Sequence, residues 1–434
     1  MRTLAHHQQV AEEPLPGERV AEIQQRDPWL GVKPIVYYLF IEYTRPMVWI
    51  LPFLKVVRPG MLAVFWGFGT YLMSNTKRAL PKHMKWIFAF IGLMIFQIFV
   101  ATNNRAALEK LQIDMLPMVL GCALPLATLP NSVRAMKIVL TAFFAVHIPT
   151  AIHGIQSGGY GPGGWFGDQN DLAFALNCAV GVGTYLFVES YEIKRKIWIA
   201  AGLGILVTAV IVSFSRGGLL GLATVGAYLF ISAKRSRGPI LALCLISIVA
   251  ILIFAPAEWK EEMGTIDEAS SAQDTGGKRL YYWEIGWKMF LDHPITGVGT
   301  ENYGIRAPEY RDLSRFKESM WKRVAHSLYF TLIPEHGLVG CYIYGGMILI
   351  CFRGNRRLQR RFAEAPDHPT RRTAAMLSSG LSAGLVASLV TGTFVSVLYY
   401  PPVWILVAMM GSLTDLADEE DEAERLDAGE EEPA

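Results

Sequence analysis

Apolar residues along the chain are gathered into long blocks, and charged or polar runs separate the blocks. Each block runs for about 17–25 residues with few or no charges, enough for a helix to cross a hydrocarbon core of about 30 Å. The pattern predicts twelve membrane-spanning helices, at 34–51, 57–74, 84–102, 113–130, 135–154, 171–189, 196–214, 217–233, 239–256, 326–352, 374–393 and 397–414. The first is interrupted by Glu42, Arg45 and Pro46, so it is expected to tilt or to break near the proline. The expected fold is an all-α polytopic membrane protein. It has a polar arm at 1–33, helices one to nine in 34–256, a long non-membrane segment at 257–325, helices ten to twelve in 326–414 and an acidic tail at 415–434. No internal repeat of the kind that marks a two-halved transporter is evident.

The basic residues orient this bundle. Connections that follow even-numbered spans hold nineteen Lys and Arg, among them Lys77, Arg78, Lys82 and Lys85, the trio Lys194–Lys196, and seven arginines between Arg353 and Arg372. Short connections on the odd side hold five: Lys55, Arg58, Arg105, Lys110 and Arg216. The positive-inside rule then puts the even side, the N-terminal arm and the acidic tail in the cytoplasm, and 257–325 on the opposite face. Met1 to Lys33 has no apolar stretch ahead of a small-residue cleavage site, so no secretory leader is expected.

Composition sharpens the class. Of 434 residues, 52% are apolar and only 18% charged, with mean hydropathy +0.29; a soluble domain carries roughly 25% charged residues. A soluble enzyme, a disulfide scaffold and a nucleic-acid binder are excluded. Cys122, Cys178, Cys244, Cys341 and Cys351 lie in or beside apolar stretches without metal-knuckle spacing, and read as buried thiols packing as small hydrophobes. The net charge of +2 divides into −10 over Asp415–Ala434 (eleven acids, one arginine) and +12 over the rest.

Within 257–325 the run RLYYWEIGWKMFLDHP predicts an amphipathic helix lying on or just above the membrane. Trp283, Trp287, Phe290 and Leu291 share one face, and Glu284, Lys288 and Asp292 lie around the other. Ser215-Arg216-Gly217-Gly218 fills the near-absent connection between spans seven and eight. Arg216 reads either as a snorkelling interfacial arginine or as an anion site, since a guanidinium forks onto phosphate and stays charged when partly desolvated. Arg279, at the start of the amphipathic helix, is either a solvated helix-end charge or the partner of Arg216 in a clamp for a ligand with at least two negative charges. His326 opens span ten on the same face, as a polar cap or as the best-placed general base there. His293 lies in a turn, and His336 lies about 15 Å deeper at 1.5 Å per residue. Glu335 is an intramembrane acid, with a functional role and a helix–helix hydrogen bond both open. The loop at 158–171 has six glycines and no basic residue; Asp168, Gln169, Asn170 and Asp171 can cap span six or hydrogen-bond sugar hydroxyls. The two carboxylates form no Asp-x-Asp pattern, so no metal site is assigned.

In this order, these pieces resemble the O-antigen ligase and polymerase superfamily of bacterial polytopic enzymes. The matching residues are Ser215–Gly218, Arg279 leading an aromatic helix into His293-Pro294 and Gly297-Val-Gly299 with Asn302-Tyr303, then Ala325-His326-Ser327 and Glu335-His336-Gly337-Leu-Val-Gly340. Upstream, Trp165–Asp171 is similar to the family's loop before its central domain. Phe40-Ile-Glu42-Tyr-Thr-Arg45-Pro46 resembles the branch described as O-glycosylation or exopolysaccharide ligases.

The resemblance implies a glycosyltransferase of the inner membrane that works without a cofactor on the periplasmic face. It would move a glycan from an undecaprenyl-pyrophosphate carrier to a lipid, saccharide or protein acceptor. Arg216 and Arg279 match the arginines held to bind the pyrophosphate, and His326 matches the proposed catalytic histidine. The central loop departs from the family pattern in lacking an arginine, so further anion contacts fall to Lys278, Lys322 or Arg323. Asp168, Asn170 and Glu335 complete the expected substrate-binding set. A polymerase uses the same donor site. Two readings of other classes stand beside it: a lipid-linked glycan transporter whose outer arginines only gather an anionic substrate, and a non-catalytic assembly factor.

Overall fold

The computed structural model describes residues 18–232, 275–314, 316, 318–365 and 367–429. Among these residues all regular structure is helical. In chain order the main elements are α1 (Glu18–Gln25), α2 (Val32–Leu39), α3 (Pro59–Met73), α4 (Met84–Val100), α5 (Asn104–Thr128) and α6 (Val133–Gln156). There follow α7 (Gln169–Glu189), α8 (Ile193–Val212), α9 (Arg216–Ser232), α10 (Thr275–Asp292), α11 (Tyr329–Glu364), α12 (Pro369–Thr391) and α13 (Pro401–Asp427). Six of the described helices are long and apolar enough to cross a membrane: α5, α6, α7, α8, α11 and α12 with its extension to Phe394; α4 and α9 are shorter apolar helices. The protein is a multi-pass membrane protein. The expected span at 239–256, residue 233 and Cys244 lie outside the described residues.

Local chemistry sets the boundaries. Asn103, Ser132 and Asp168 accept hydrogen bonds from backbone N–H groups in the first turns of α5, α6 and α7, satisfying donors that a helix start leaves orphaned. The interruption expected near Pro46 falls at Arg45, whose φ is +46; α2 runs on through a π turn to Thr44, and Pro46–Trp49 is a separate single turn. A residue before proline is driven out of the α region, which fixes the break. Cys122, Cys178 and Cys351 are buried free thiols.

The centre of the bundle is α7 against α12, brought close by small residues: a Cβ on Gly181 would lie 2.3 Å from the backbone nitrogen of Gly384, and Cys178 Sγ meets Ser388 Oγ at 2.8 Å. Close small-residue contact of this kind drives helix association where lipid removes the hydrophobic incentive. Trp404 of α13 and Phe143, Phe144 and Phe174 fill the surrounding core.

One expectation is corrected. The acidic segment is a continuation of α13 through Asp427, not a separate tail: Asp418 and Asp421 pair with Arg361 at 2.5 and 2.9 Å, Asp421 with Arg371 at 2.9 Å, and Glu419 with Arg26 at 3.1 Å. Charge complementarity to the basic connections gives the acidic helix somewhere to dock. The amphipathic helix α10 packs the other side inward, leaving Trp287 and Leu291 of the expected apolar face exposed. Tyr281, Tyr282, Ile285 and Met289 pack with Val298, Tyr303, Phe316 and Met320 into a second, smaller core, while Leu280, Trp287 and Leu291 are exposed. These residues form a cap over the end of the bundle where 101–104, 157–171 and 392–400 meet.

Cap and bundle are joined at a break in α11. Pro334 cannot donate and Gly337 takes φ +61, ψ −158, a conformation essentially restricted to glycine. The freed backbone groups pair with the loop after α10. Val298 N donates to Pro334 O at 2.8 Å and Gly299 N to Glu335 O at 3.0 Å, while Leu338 N donates to Pro294 O at 2.8 Å and Val339 N to Ile295 O at 3.1 Å. Gln97 of α4 donates to Thr296 O and Glu335 O at 2.6 and 2.7 Å and accepts from Thr300 Oγ1 at 2.8 Å. A Cβ on Gly337 would sit 2.5 Å from Ile295 O, and one on Gly297 2.4 Å from Glu335 C. Gly337→Ala is therefore expected to cost about 1–3 kcal/mol of backbone strain in addition to the collision. Thermal melting of the detergent-solubilised protein should fall by several degrees, and an unchanged melt would contradict the splice.

Candidate functional site

The loop ahead of α7 is anchored before it reaches the site. Trp165 Nε1 donates to Glu42 Oε1 at 2.5 Å, Arg45 pairs with Glu42 at 3.3 Å and its guanidinium lies 5.3 Å from the Phe166 ring centroid. Gly164, at φ +70, has the Arg45 guanidinium where a Cβ would stand. The Phe40–Pro46 motif thus holds the Trp165–Asp171 motif in place. Asp168 Oδ1 accepts from Asn170 N and Nδ2 at 2.8 and 2.9 Å, and Asn170 Oδ1 accepts from Ser215 Oγ at 2.7 Å. Ser215 Oγ in turn accepts from Gly218 N at 3.0 Å, capping α9. This chain of bonds ties the acidic loop to the turn bearing Arg216, which is the first residue of α9 and not part of a connection.

α10 delivers the second arginine. Arg279 and Tyr282 are three residues apart and share a helix face, and the Tyr282 ring lies nearly parallel to that of His326, centroids 6.1 Å apart at 23°. His326 does not open a helix as expected: α11 begins three residues later, and His326 adopts φ +50 in the irregular approach to it. Its neighbours are fixed. Trp283 Nε1 donates to Ala325 O at 3.0 Å, the Trp283 ring stacks on Phe330 at 5.0 Å, and Leu328 N donates to Gly392 O at 2.7 Å. With both flanks tied to different elements, the chain between them is pulled into the left-handed region.

A cavity of about 920 Å³ opens here, and His326, Arg279, Lys322, Arg323, Asp168, Asn170 and Glu335 all line it. The structure thus brings seven of the nine residues expected at the site around one space. Arg216 lies near enough to Arg279 to perturb it. Lys278 is the exception: its ammonium is held by Glu318 at 3.1 Å, and it does not line the cavity. Glu335 lines it with both carboxylate oxygens engaged. Oε2 accepts from Glu301 N at 2.9 Å and from the Tyr399 hydroxyl, and Oε1 accepts from Tyr303 N at 3.1 Å. Tyr399 is also bonded to His336 Nε2 at 2.7 Å. Of the two roles open for Glu335, the geometry favours the internal one, pinning the cap loop to the bundle.

Electrostatics distinguish His326 from Arg279. His326 is open to the cavity, but protein crowds it closely enough that desolvation is the largest influence pulling its pKa below 6.5; Arg279 and Arg323 add to this and Asp168 opposes it. The imidazole is therefore neutral at pH 7. The Arg279 guanidinium is lowered from its ordinary value by burial first and then by Arg216, against Asp168, and its Nε is buried with no hydrogen-bond partner among the described residues. Two guanidiniums held together against repulsion, one with an orphaned donor, form a site that an anion would stabilise.

Asp171 of the acidic cluster lines the cavity too, whereas Lys110, Glu301, Tyr399 and Tyr400, which also line it, were missed by sequence reasoning. Lys110 pairs with Asp114 at 2.9 Å and Glu301 at 3.2 Å. The i, i+4 pairing of Lys110 with Asp114 at the start of an apolar block was a usable signal. The two tyrosines arrive from the connection after α12 and carry no comparable mark.

The cavity is cationic and partly dry, holds an imidazole, and lies at one end of a helical membrane bundle, an arrangement with the chemistry to hold an anionic ligand. The family model described as O-antigen ligase matches residues 200–345, from α8 through the first half of α11. Over that third of the chain the sequence is similar to the O-antigen ligase family, which supports membrane glycosyl transfer in general. No curated protein matches the chain.

The sign of the His326 shift is measurable. A histidine whose folded pKa is lowered stays neutral until the pH falls through that lowered value. In histidine-labelled protein, with the His326 signal assigned by His326→Gln, the NMR titration midpoint should fall below 6.5. Arg279→Gln should raise the midpoint, and Asp168→Asn should lower it further. A wild-type midpoint at or above 6.5 would contradict the neutral imidazole.

Proposed function

We propose that the cavity is the active site of a glycosyltransferase of O-antigen ligase type, facing the periplasm from the bacterial inner membrane with both termini in the cytoplasm. Its donor is a glycan on undecaprenyl pyrophosphate and its acceptor is a hydroxyl of a lipid, saccharide or protein. The observation that carries this reading is the single cavity shared by His326 and Arg279 with Lys322 and Arg323, beside Arg216. The orientation rests on the nineteen-to-five distribution of basic residues, which sets the cavity end opposite the positive side.

The chemistry follows from the charges. The acceptor oxygen attacks the anomeric carbon as neutral His326 takes its proton, a new C–O bond forms, and the bond to the pyrophosphate oxygen breaks with its electron pair staying on the leaving group. Attack opposite the leaving group inverts the anomeric centre. Arg216 and Arg279 meet the charge that grows on the pyrophosphate, and a partly desolvated guanidinium pair does this with little reorganisation. In this reading the arginines do the work a metal does elsewhere. A polymerase differs only in taking a growing glycan as acceptor.

The test is transfer by the purified full-length protein from an undecaprenyl-pyrophosphate glycan to candidate acceptors, with and without EDTA. Transfer should survive EDTA. His326→Ala should cost about 10²–10⁴-fold, the usual worth of general acid–base catalysis, and Arg279→Ala a loss of similar order. Lys278→Ala should stay within about fivefold of wild type, since an exposed ion pair contributes about 0–1 kcal/mol. Donor movement across vesicles without glycosylation of any acceptor would replace this reading with transport.

A further inference from the structure

The far end of α11, away from the cap, carries a feature that the catalytic reading does not use. Beyond the Gly337 break α11 continues through Leu338–Glu364, about 40 Å at 1.5 Å per residue, longer than a hydrocarbon core of about 30 Å. On the part beyond the Gly337 break, Tyr342 and Leu349 are exposed apolar side chains at 72% and 48%. Continuing at spacings of four, three and four residues come Arg353, Arg356 and Arg360, all exposed. These intervals keep one helix face, so the stripe that touches acyl chains passes within one turn, about 6 Å, into three guanidiniums. The face is widened by α4. Trp86 packs against Gly346, where a Cβ would lie 2.4 Å from the indole, and its ring sits 5.5 Å from that of Tyr342. Exposed Lys82 and Lys85 lie just ahead of Trp86.

Neighbouring cations are handled differently. Arg357, Arg361 and Arg371 are paired with Asp418 or Asp421 on α13, whereas Arg353, Arg356 and Arg360 form no ion pair among the described residues. The acidic helix neutralises the inner side of this basic region and leaves the lipid-facing side charged.

We propose that Arg353, Arg356 and Arg360, with Lys82 and Lys85, form a binding site for an anionic phospholipid in the leaflet opposite the cap. The headgroup phosphate rests on the guanidiniums, which fork onto phosphate oxygens, and the acyl chains lie along Leu349, Tyr342 and Trp86. Continuity with the apolar stripe selects a lipid over a soluble anion, because only a lipid satisfies both halves of the face at once.

Native mass spectrometry of the full-length protein in detergent, titrated with phosphatidylglycerol or phosphatidylcholine, tests the site. Phosphatidylglycerol should be retained in preference, and the triple variant R353Q/R356Q/R360Q should lose about tenfold or more of that preference. Arg134→Gln, an exposed cation elsewhere on the same side, should leave it intact. Should the triple variant melt early, Arg353→Gln and Arg360→Gln singly should each give a partial loss. Full preference in the variants overturns the proposal. So does displacement of the lipid by millimolar glycerol phosphate, which would make the site one for free phosphate esters.

Discussion

The loop Pro294–Gly299 lies in the break of α11 and takes up the backbone groups that Pro334 and Gly337 release. A break in a membrane helix is tolerable only where something satisfies the exposed N–H and C=O groups, so helix and loop are each other's condition. Everything that positions the cavity hangs from this splice. α10 enters the loop from one side and carries Arg279, while the segment leaving the cap on the other side carries His326 into α11. Gln97 and Glu335 fasten the same junction with side chains, so that a bundle helix, the cap loop and the helix bearing the break share one hydrogen-bonded centre.

That construction explains an electrostatic arrangement that would otherwise relax. Arg279 and Arg216 repel each other and Arg279 lowers the basicity of His326. A flexible surface would let them separate. Here α9 is capped by Ser215, which is bonded to Asn170 of the acidic loop, and α10 is locked by Trp283 and Tyr303. Asp168 is the carboxylate that moderates both groups, and its place is fixed because it caps α7. The cavity therefore holds its cations at a cost met by packing elsewhere, the usual condition of a preorganised site.

Much of this was legible in the sequence because membrane helices write a strong signal: long uncharged blocks, and cations sorted by side. The motifs around Arg216, Arg279 and His326 were legible as an ordered set, and the positions of seven of the nine expected residues around one cavity follow it. What the sequence hid is what depends on tertiary partners. Lys278 differs from Arg279 by one position, yet the helix turns it toward Glu318. Glu335 reads as a functional acid because it is an ionisable group in an apolar block; only the arrival of two backbone N–H groups and Tyr399 shows that its valences are met within the protein. The inward face of α10 was not legible because apolar residues surround most of that helix, and periodicity cannot say which side meets protein and which meets lipid.

The two ends of the molecule treat cations in opposite ways, and the contrast bears on both sites. At the end away from the cap, α13 extends far enough to set Asp418, Asp421 and Glu419 against Arg361, Arg371 and Arg26, so that the basic connections required for orientation do not repel one another. At the cap end the cavity contains acids, but Glu335 is consumed by the cap loop and Glu301 by Lys110. Asp168 offsets Arg279 from the rim of the cavity and is itself exposed. An acid paired directly with Arg279 would have stabilised the fold and competed with any anionic ligand there. Holding Arg279 by packing keeps its guanidinium turned to the cavity, with a buried Nε that has no partner among the described residues, and the splice in α11 is part of that packing.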